Sequence, residues 1–314
     1  MRIVFMGTPE FAVAALNKLL DHGYEVAAVV TQPDKPKGRK KTLTPPPVKE
    51  AALARGLPVL QPTRMRSPEA IAAVAELQPE LIVTAAYGQI LPKEVLQLPR
   101  LGCINVHGSL LPKYRGGAPI QRAIMNGETV TGVTIMYMAE GLDTGDMISR
   151  VEVPIEKSDT SGDLFRKLSE AGAELLLQTL PSIIDGSAVA VPQDDAAATY
   201  APNLSRDDER IDWSRPAEAL YNQVRGLAPM AGAFTYLDGE VFKIWACEAE
   251  PDGSRTAAEP GTVLKADSGL LVQTGSGALR LLTIQPAGKR AMDAAAWLQG
   301  ARLPAGTRLG GEPQ

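Results

Sequence analysis

Asn105 and His107 sit two residues apart in Gly102-Cys103-Ile104-Asn105-Val106-His107-Gly108. Alternate side chains leave the same face of an extended chain, so a strand reaching His107 would present amide and imidazole together. Such a pair at a strand end suits carbonyl chemistry. Either group can hold the oxygen of a tetrahedral intermediate, and the imidazole can also move a proton near neutral pH. The bland alternative is an Asn that starts a turn and a His that is merely a satisfied polar residue. Two acids, Asp143 and Asp146, lie in Glu140-Gly141-Leu142-Asp143-Thr144-Gly145-Asp146. Either could orient the imidazole and favour its charged form. Either could equally be a turn residue bonding its own backbone. Spacing leaves that choice open.

The elements that must position these groups read as an open α/β sheet. Arg2 to Met6 is a buried strand, and a helix follows from Pro9 to Leu20 with Thr8 as its cap. Val26 to Thr31 is the second strand, and Glu80 to Ala85 is another. The opening is βαβ-like but lacks Gly-x-Gly-x-x-Gly, so no nicotinamide is expected. Ligands of such sheets gather at the carboxyl ends of the strands. That rule brings together three loops: Gln32 to Pro47, His107 to Pro119, and Glu140 to Asp146.

The first of these loops is different in kind. It carries Lys35, Lys37, Arg39, Lys40 and Lys41 against one acid, Asp34, together with several prolines. Without apolar periodicity it reads as a long exposed loop. It is either a solvated surface or a grip for phosphates.

The chain has 314 residues, which favours two domains. Its net charge of -4 gives no global pull toward nucleic acid, so any RNA-binding surface must be a local patch. Two cysteines and two histidines offer no disulfide framework and no zinc spacing, so no metal is expected. No apolar run is long enough for a signal peptide or a membrane span, and a cytoplasmic protein is expected. Residues 1–186 read as the first domain and 187–206, which lack core periodicity, as a linker. Residues 207–314 hold short strands at a spacing that suggests a five-strand, OB-like barrel. The fold class is therefore a Rossmann-like, mostly parallel sheet domain followed by a small β-barrel.

The run I-N-V-H-G-S-L-L-P-K-Y-R-G-G-A-P resembles the signature of the folate-dependent formyltransferases. Further matching segments are F-M-G-T-P-E-F, T-Q-P-D-K-P-K-G-R-K-K, A-A-Y-G-Q-I-L-P, G-L-D-T-G-D, I-D-W-S and Q-P-A-G-K-R-A-M. In order along nearly the whole chain, they look like the branch of that family that formylates methionyl-tRNA. The resemblance implies catalytic roles for Asn105, His107 and Asp143, and a folate site lined by Ser109, Leu110, Leu111 and Pro112. It implies 10-formyltetrahydrofolate as formyl donor, initiator methionyl-tRNA as acceptor, and a C-terminal domain that helps hold the tRNA. Arg39, Lys40 and Lys41 are then the expected phosphate contacts, and a monomer is expected. The chain departs from the family at Leu227-Ala228-Pro229-Met230-Ala231-Gly232, where a Trp-Pro pair is usual. Three rivals share parts of this pattern. A formyltransferase acting on a small amine would not need the basic loop. An RNA-binding protein would not need Asn105, His107 and Asp143 together. A nucleotide-dependent oxidoreductase would want the missing glycines.

Overall fold

The computed structural model describes residues 1–38, 40–250, 258–266 and 269–311. The chain forms two compact units. The first comprises Met1–Pro119, Val130–Pro154 and Phe165–Pro202, and the second Ile120–Thr129, Ile155–Leu164 and Asn203–Gln314. Residues 187–202, read from sequence as linker, thus belong to the first unit.

The first unit is built on a seven-stranded sheet. Its strands are β1 (Arg2–Gly7), β2 (Glu25–Val30), β5 (Val59–Leu60), β6 (Leu81–Ala85), β7 (Cys103–His107), β8 (Val130–Tyr137) and β9 (Met147–Pro154). They lie in the order β5-β2-β1-β6-β7-β8-β9. The first five are parallel, whereas β8 and β9 run antiparallel. The parallel strands are apolar on both faces because both are covered, and Ile3 to Met6 have no exposed surface. One face packs Val4, Met6, Ile82, Cys103 and Val95 into a common cluster. On the other, the Ser161–Asp185 helix lies close to β7 and β8. A Cβ on Gly172 would come within 2.9 Å of Val106. This close helix fixes the strand that carries Asn105 and His107.

Between β2 and β5 the basic stretch is ordered as a hairpin rather than an irregular loop. β3 (Lys35–Lys37) pairs antiparallel with β4 (Thr42–Thr44). Its two three-residue strands, one of them holding Pro36, have no apolar periodicity, so the pairing left no pattern to read.

The second unit holds β10 (Ala233–Leu237), β11 (Glu240–Glu250), β12 (Val263–Lys265), β13 (Leu270–Gln273), β14 (Ala278–Gln285) and β15 (Met292–Asp293). The antiparallel order is β10-β11-β14-β13-β12, with β15 also on β14. Asp238 and Gly239, both at positive φ, make the β10–β11 turn. Strand pairing alone leaves β10 and β12 as free edges. The tail joins them: Thr307 accepts from Val263 N–H at 2.8 Å, and Gly310 N–H donates to Tyr236 at 2.9 Å. A sheet curled into a half-barrel is therefore bridged by the segment 306–310 instead of by a further strand. Where the Trp-Pro pair is absent, Trp245 of β11 lies against Gly232, and Lys243 donates to the Ala231 carbonyl at 2.6 Å.

Candidate active site

The centre of the site is the end of β7. The strand extends to His107, so Cys103, Asn105 and His107 share one face of the sheet. Asn105 stands beside Thr84 of β6, its partner in the parallel register. The Thr84 hydroxyl donates to Asn105 Oδ1 at 2.8 Å. With its oxygen engaged, Asn105 has its Nδ2 hydrogens left to offer to another oxygen. The hydroxyl also lies 3.3 Å from Met138 Sδ. Thr84 carries the one hydroxyl in the strand Leu81–Ala85, and that isolation was the available sequence signal for it.

His107 is buried. Its Nε2 lies 3.0 Å from the Tyr114 carbonyl, which can only accept, so this nitrogen carries a proton. Nδ1 faces the Asp143 carboxylate at 3.7 Å, beyond hydrogen-bond reach. Nδ1 is therefore the ring nitrogen left for a substrate. Asp146 is exposed and bonds through its backbone, to Tyr137 N–H. Of the two acids open at the level of spacing, Asp143 is the one beside the imidazole.

Asp143 does not arrive there by the sheet-end rule. β8 runs antiparallel to β7, so the Glu140–Asp146 loop leaves from the opposite end of the sheet. The loop folds back across the Asn105 face, starting at Met138, and carries Asp143 to His107. Gly116 N–H holds the Asp143 carboxylate at 2.8 Å. A Cβ on Gly145 would fall 1.8 Å from the Tyr137 carbonyl, so this fold-back requires glycine.

The loop after β7 is held from within. Thr134 of β8 accepts from Leu111 N–H at 3.1 Å and donates to the Ser109 carbonyl at 2.7 Å. The Ser109 hydroxyl donates to the Lys113 carbonyl. Ser109 and Leu111 are buried in this loop, whereas Leu110 and Pro112 keep accessible surface. Of the four residues expected at the folate, those two can present side chains to a ligand.

Next to this loop, at the switch point between β1 and β6, Thr8, Gln32 and Tyr87 tie three loops together. Thr8 Oγ1 donates to the Tyr87 carbonyl at 2.8 Å, and Gln32 Nε2 donates to it at 3.2 Å. Thr8 thus serves the loops and does not cap the following helix, whose N-cap is Pro9. Burial pushes the Tyr87 phenol up to about 12 and the Cys103 thiol likewise, so both stay protonated near neutral pH.

Lys40 and Lys41 lie exposed in the β3–β4 turn, and Arg39 lies outside the described residues. Asp34, the acid at the base of the hairpin, is held below the usual carboxylate range by hydrogen bonds from Lys49 and Gln61. It is engaged there and does not neutralise the turn. Sequence reasoning missed Thr84, Thr134 and Arg115 as parts of the site, although Arg115 stands inside the quoted signature. It also missed Gln193, which no pattern marks.

A family model described as "Formyl transferase" matches residues 1–180, and "Formyl transferase, C-terminal domain" matches 203–302. The chain belongs to the formyl transferase family. It is an enzyme, a transferase of one-carbon groups. A curated relative from Geobacillus thermodenitrificans is 57% identical over 312 residues, covering 98% of this chain and 97% of the relative. One from Bacillus subtilis is 57% identical over 311 residues, 98% of each. Both are named "Methionyl-tRNA formyltransferase". Among solved structures, the sugar 3N-formyl transferase WlaRD, crystallised with dTDP and 5-N-formyl-THF, matches with a TM-score of 0.68 at 19% identity. That match covers 92% of this chain and 99% of WlaRD. HypX from Aquifex aeolicus, in complex with tetrahydrofolic acid, matches at TM-score 0.64 and 20% identity. The match covers 95% of this chain and 47% of HypX, so the chain spans about half the length of that protein. At these identities both likenesses speak for the fold. No helix among the described residues is long and apolar enough to cross a membrane.

Proposed function

We propose that this protein transfers the formyl group of 10-formyltetrahydrofolate to the amino group of methionyl-initiator-tRNA. The observation that carries this reading is identity of 57% along nearly the full length of relatives with that name. The first unit carries the chemistry. The second helps hold the tRNA, and the chain acts as a monomer.

The free amine of the esterified methionine attacks the formyl carbon on N10 of the folate. A carbon–nitrogen bond forms, and negative charge develops on the formyl oxygen. Asn105 Nδ2, turned outward because Thr84 occupies Oδ1, donates to that oxygen. His107 acts through Nδ1, since Nε2 is committed to Tyr114. Protonated, Nδ1 donates to the developing oxyanion, and the adjacent Asp143 carboxylate compensates the imidazolium charge. Collapse breaks the bond to N10. The proton lost by the amine ends on N10, giving N-formylmethionyl-tRNA and tetrahydrofolate. Leu110 and Pro112 meet the folate, and Ser109 and Leu111 shape the loop beneath them. Arg39, Lys40 and Lys41 meet phosphates near the acceptor end of the tRNA.

The test is incubation with 10-formyltetrahydrofolate and four acceptors: charged initiator tRNA, uncharged tRNA, free methionine and an aminosugar nucleotide. Formylated methionine released from charged tRNA is expected. Preferential transfer to a free small amine would remove the tRNA assignment and leave a formyltransferase of small substrates.

A further inference from the structure

Asp143 stands at φ +50, in the left-handed region that a non-glycine residue keeps only when its surroundings hold it there. Its side chain is held by Gly116. Its backbone is held from the segment that sequence reads as linker. Gln193 Nε2 donates to the Asp143 carbonyl and to the Gly145 carbonyl, each at 2.8 Å. Gln193 Oε1 accepts from Arg115 Nε at 3.0 Å. Arg115 in turn pairs with Asp195 at 2.7 Å and is buried, with 2% of its surface exposed. A guanidinium has donors only, so the glutamine must turn its oxygen toward Arg115 and its NH2 toward the two carbonyls. Every contact agrees with one orientation of the amide.

We propose that Gln193, oriented by Arg115, is a positioning residue for Asp143. It fixes the backbone on either side of Thr144 and so sets how the carboxylate addresses His107 Nδ1. This rests on the catalytic reading of Asp143 given above. Without the two donors, the loop can leave its left-handed conformation and the carboxylate its place at 3.7 Å from the ring. The folate-facing loop after β7 makes none of these bonds, apart from its Arg115 and Gly116 end.

Gln193→Glu separates the possible roles. It keeps the length and an oxygen for Arg115 but has no donor for the two carbonyls. The expected result is a kcat lowered by about ten- to a hundredfold, with KM for the folate and the thermal midpoint near wild type. In an Asp143→Asn background the same substitution should cause no further loss, because it acts through Asp143. A Gln193→Glu enzyme with wild-type kcat overturns the proposal, as does an equal fold-loss in both backgrounds. Should Gln193→Glu lower the thermal midpoint, Gln193→Met provides the second comparison. Equal kcat losses in the two variants support the proposal, since they share only the missing donors. A loss confined to Gln193→Met assigns Gln193 to the support of Arg115 alone and overturns it. A fully active Asp143→Asn enzyme removes the catalytic reading itself, an outcome distinct from either result at Gln193.

Discussion

The end of β7 and the β3–β4 hairpin both follow parallel strands of one sheet, but they are built in opposite ways. Around β7, nearly every polar group is spoken for. Thr84 holds Asn105, Tyr114 holds His107, and Gly116 and Gln193 hold Asp143. In the hairpin, Lys40 and Lys41 point into solvent with no ion pair among the described residues. The contrast follows from the two tasks proposed for them. Stabilising a developing charge demands donors fixed before the reaction, in a site sheltered from water. Gripping a polyanion needs only charge that can reach phosphates, and fixed geometry adds little. Substitutions in the first region should therefore act on turnover, and those in the second on salt-dependent binding.

The largest effects belong to the fixed site. Asn105→Ala should lower the single-turnover rate by about 10²–10³, the usual loss for one donor to an oxyanion. Folate binding should change little, because the contact strengthens in the transition state. Asp143→Asn should be similarly severe and Asp146→Asn nearly silent. A mutant at Asn105 with normal single-turnover rate but weak folate binding would turn that residue from a catalytic group into a binding one.

A smaller effect is expected at Thr84, which touches no reacting atom. Thr84→Val keeps the shape of the side chain and removes the hydrogen bond to Asn105 Oδ1. A neutral hydrogen bond contributes about 0.5–1.5 kcal/mol net, which caps the loss in kcat near tenfold. Thr84→Ser should restore most of it. If Thr84→Val instead raises KM for the folate at constant kcat, the amide of Asn105 is not being oriented for the transition state.

The same contrast explains what the sequence made legible. The sheet could be read because β1, β2, β6 and β7 are short apolar runs between turn residues. Asn105 and His107 could be paired because a strand has a period of two. Asp143 could not be chosen over Asp146 by spacing, since its approach to His107 depends on a loop folding across the sheet face. Only the family resemblance pointed to it. Gln193 was invisible for a related reason. It sits in an aperiodic stretch, and its importance lies in bonds to residues about fifty positions away. The hairpin was missed because its pairing is carried by backbone, not by an apolar pattern.

The smallest effect tests the other half of the contrast. The chain carries a net charge of -4, so tRNA cannot be drawn by a diffuse positive field and must meet a local patch. Arg39, Lys40 and Lys41 supply three consecutive cations in the sequence. Each phosphate contact releases counterions, so losing one should shallow the salt dependence of binding by roughly 0.7–0.9 in slope. Replacing the residues singly by Ala should weaken tRNA binding several-fold each and leave folate binding and the single-turnover rate at saturating tRNA unchanged. The slope of log K against log salt, measured for the single, double and triple replacements, decides the matter. Slopes that fall stepwise with the number of cations removed would identify the turn as a phosphate grip. Unchanged slopes would make it a solvated surface, and the search for the tRNA contact would move to the second unit.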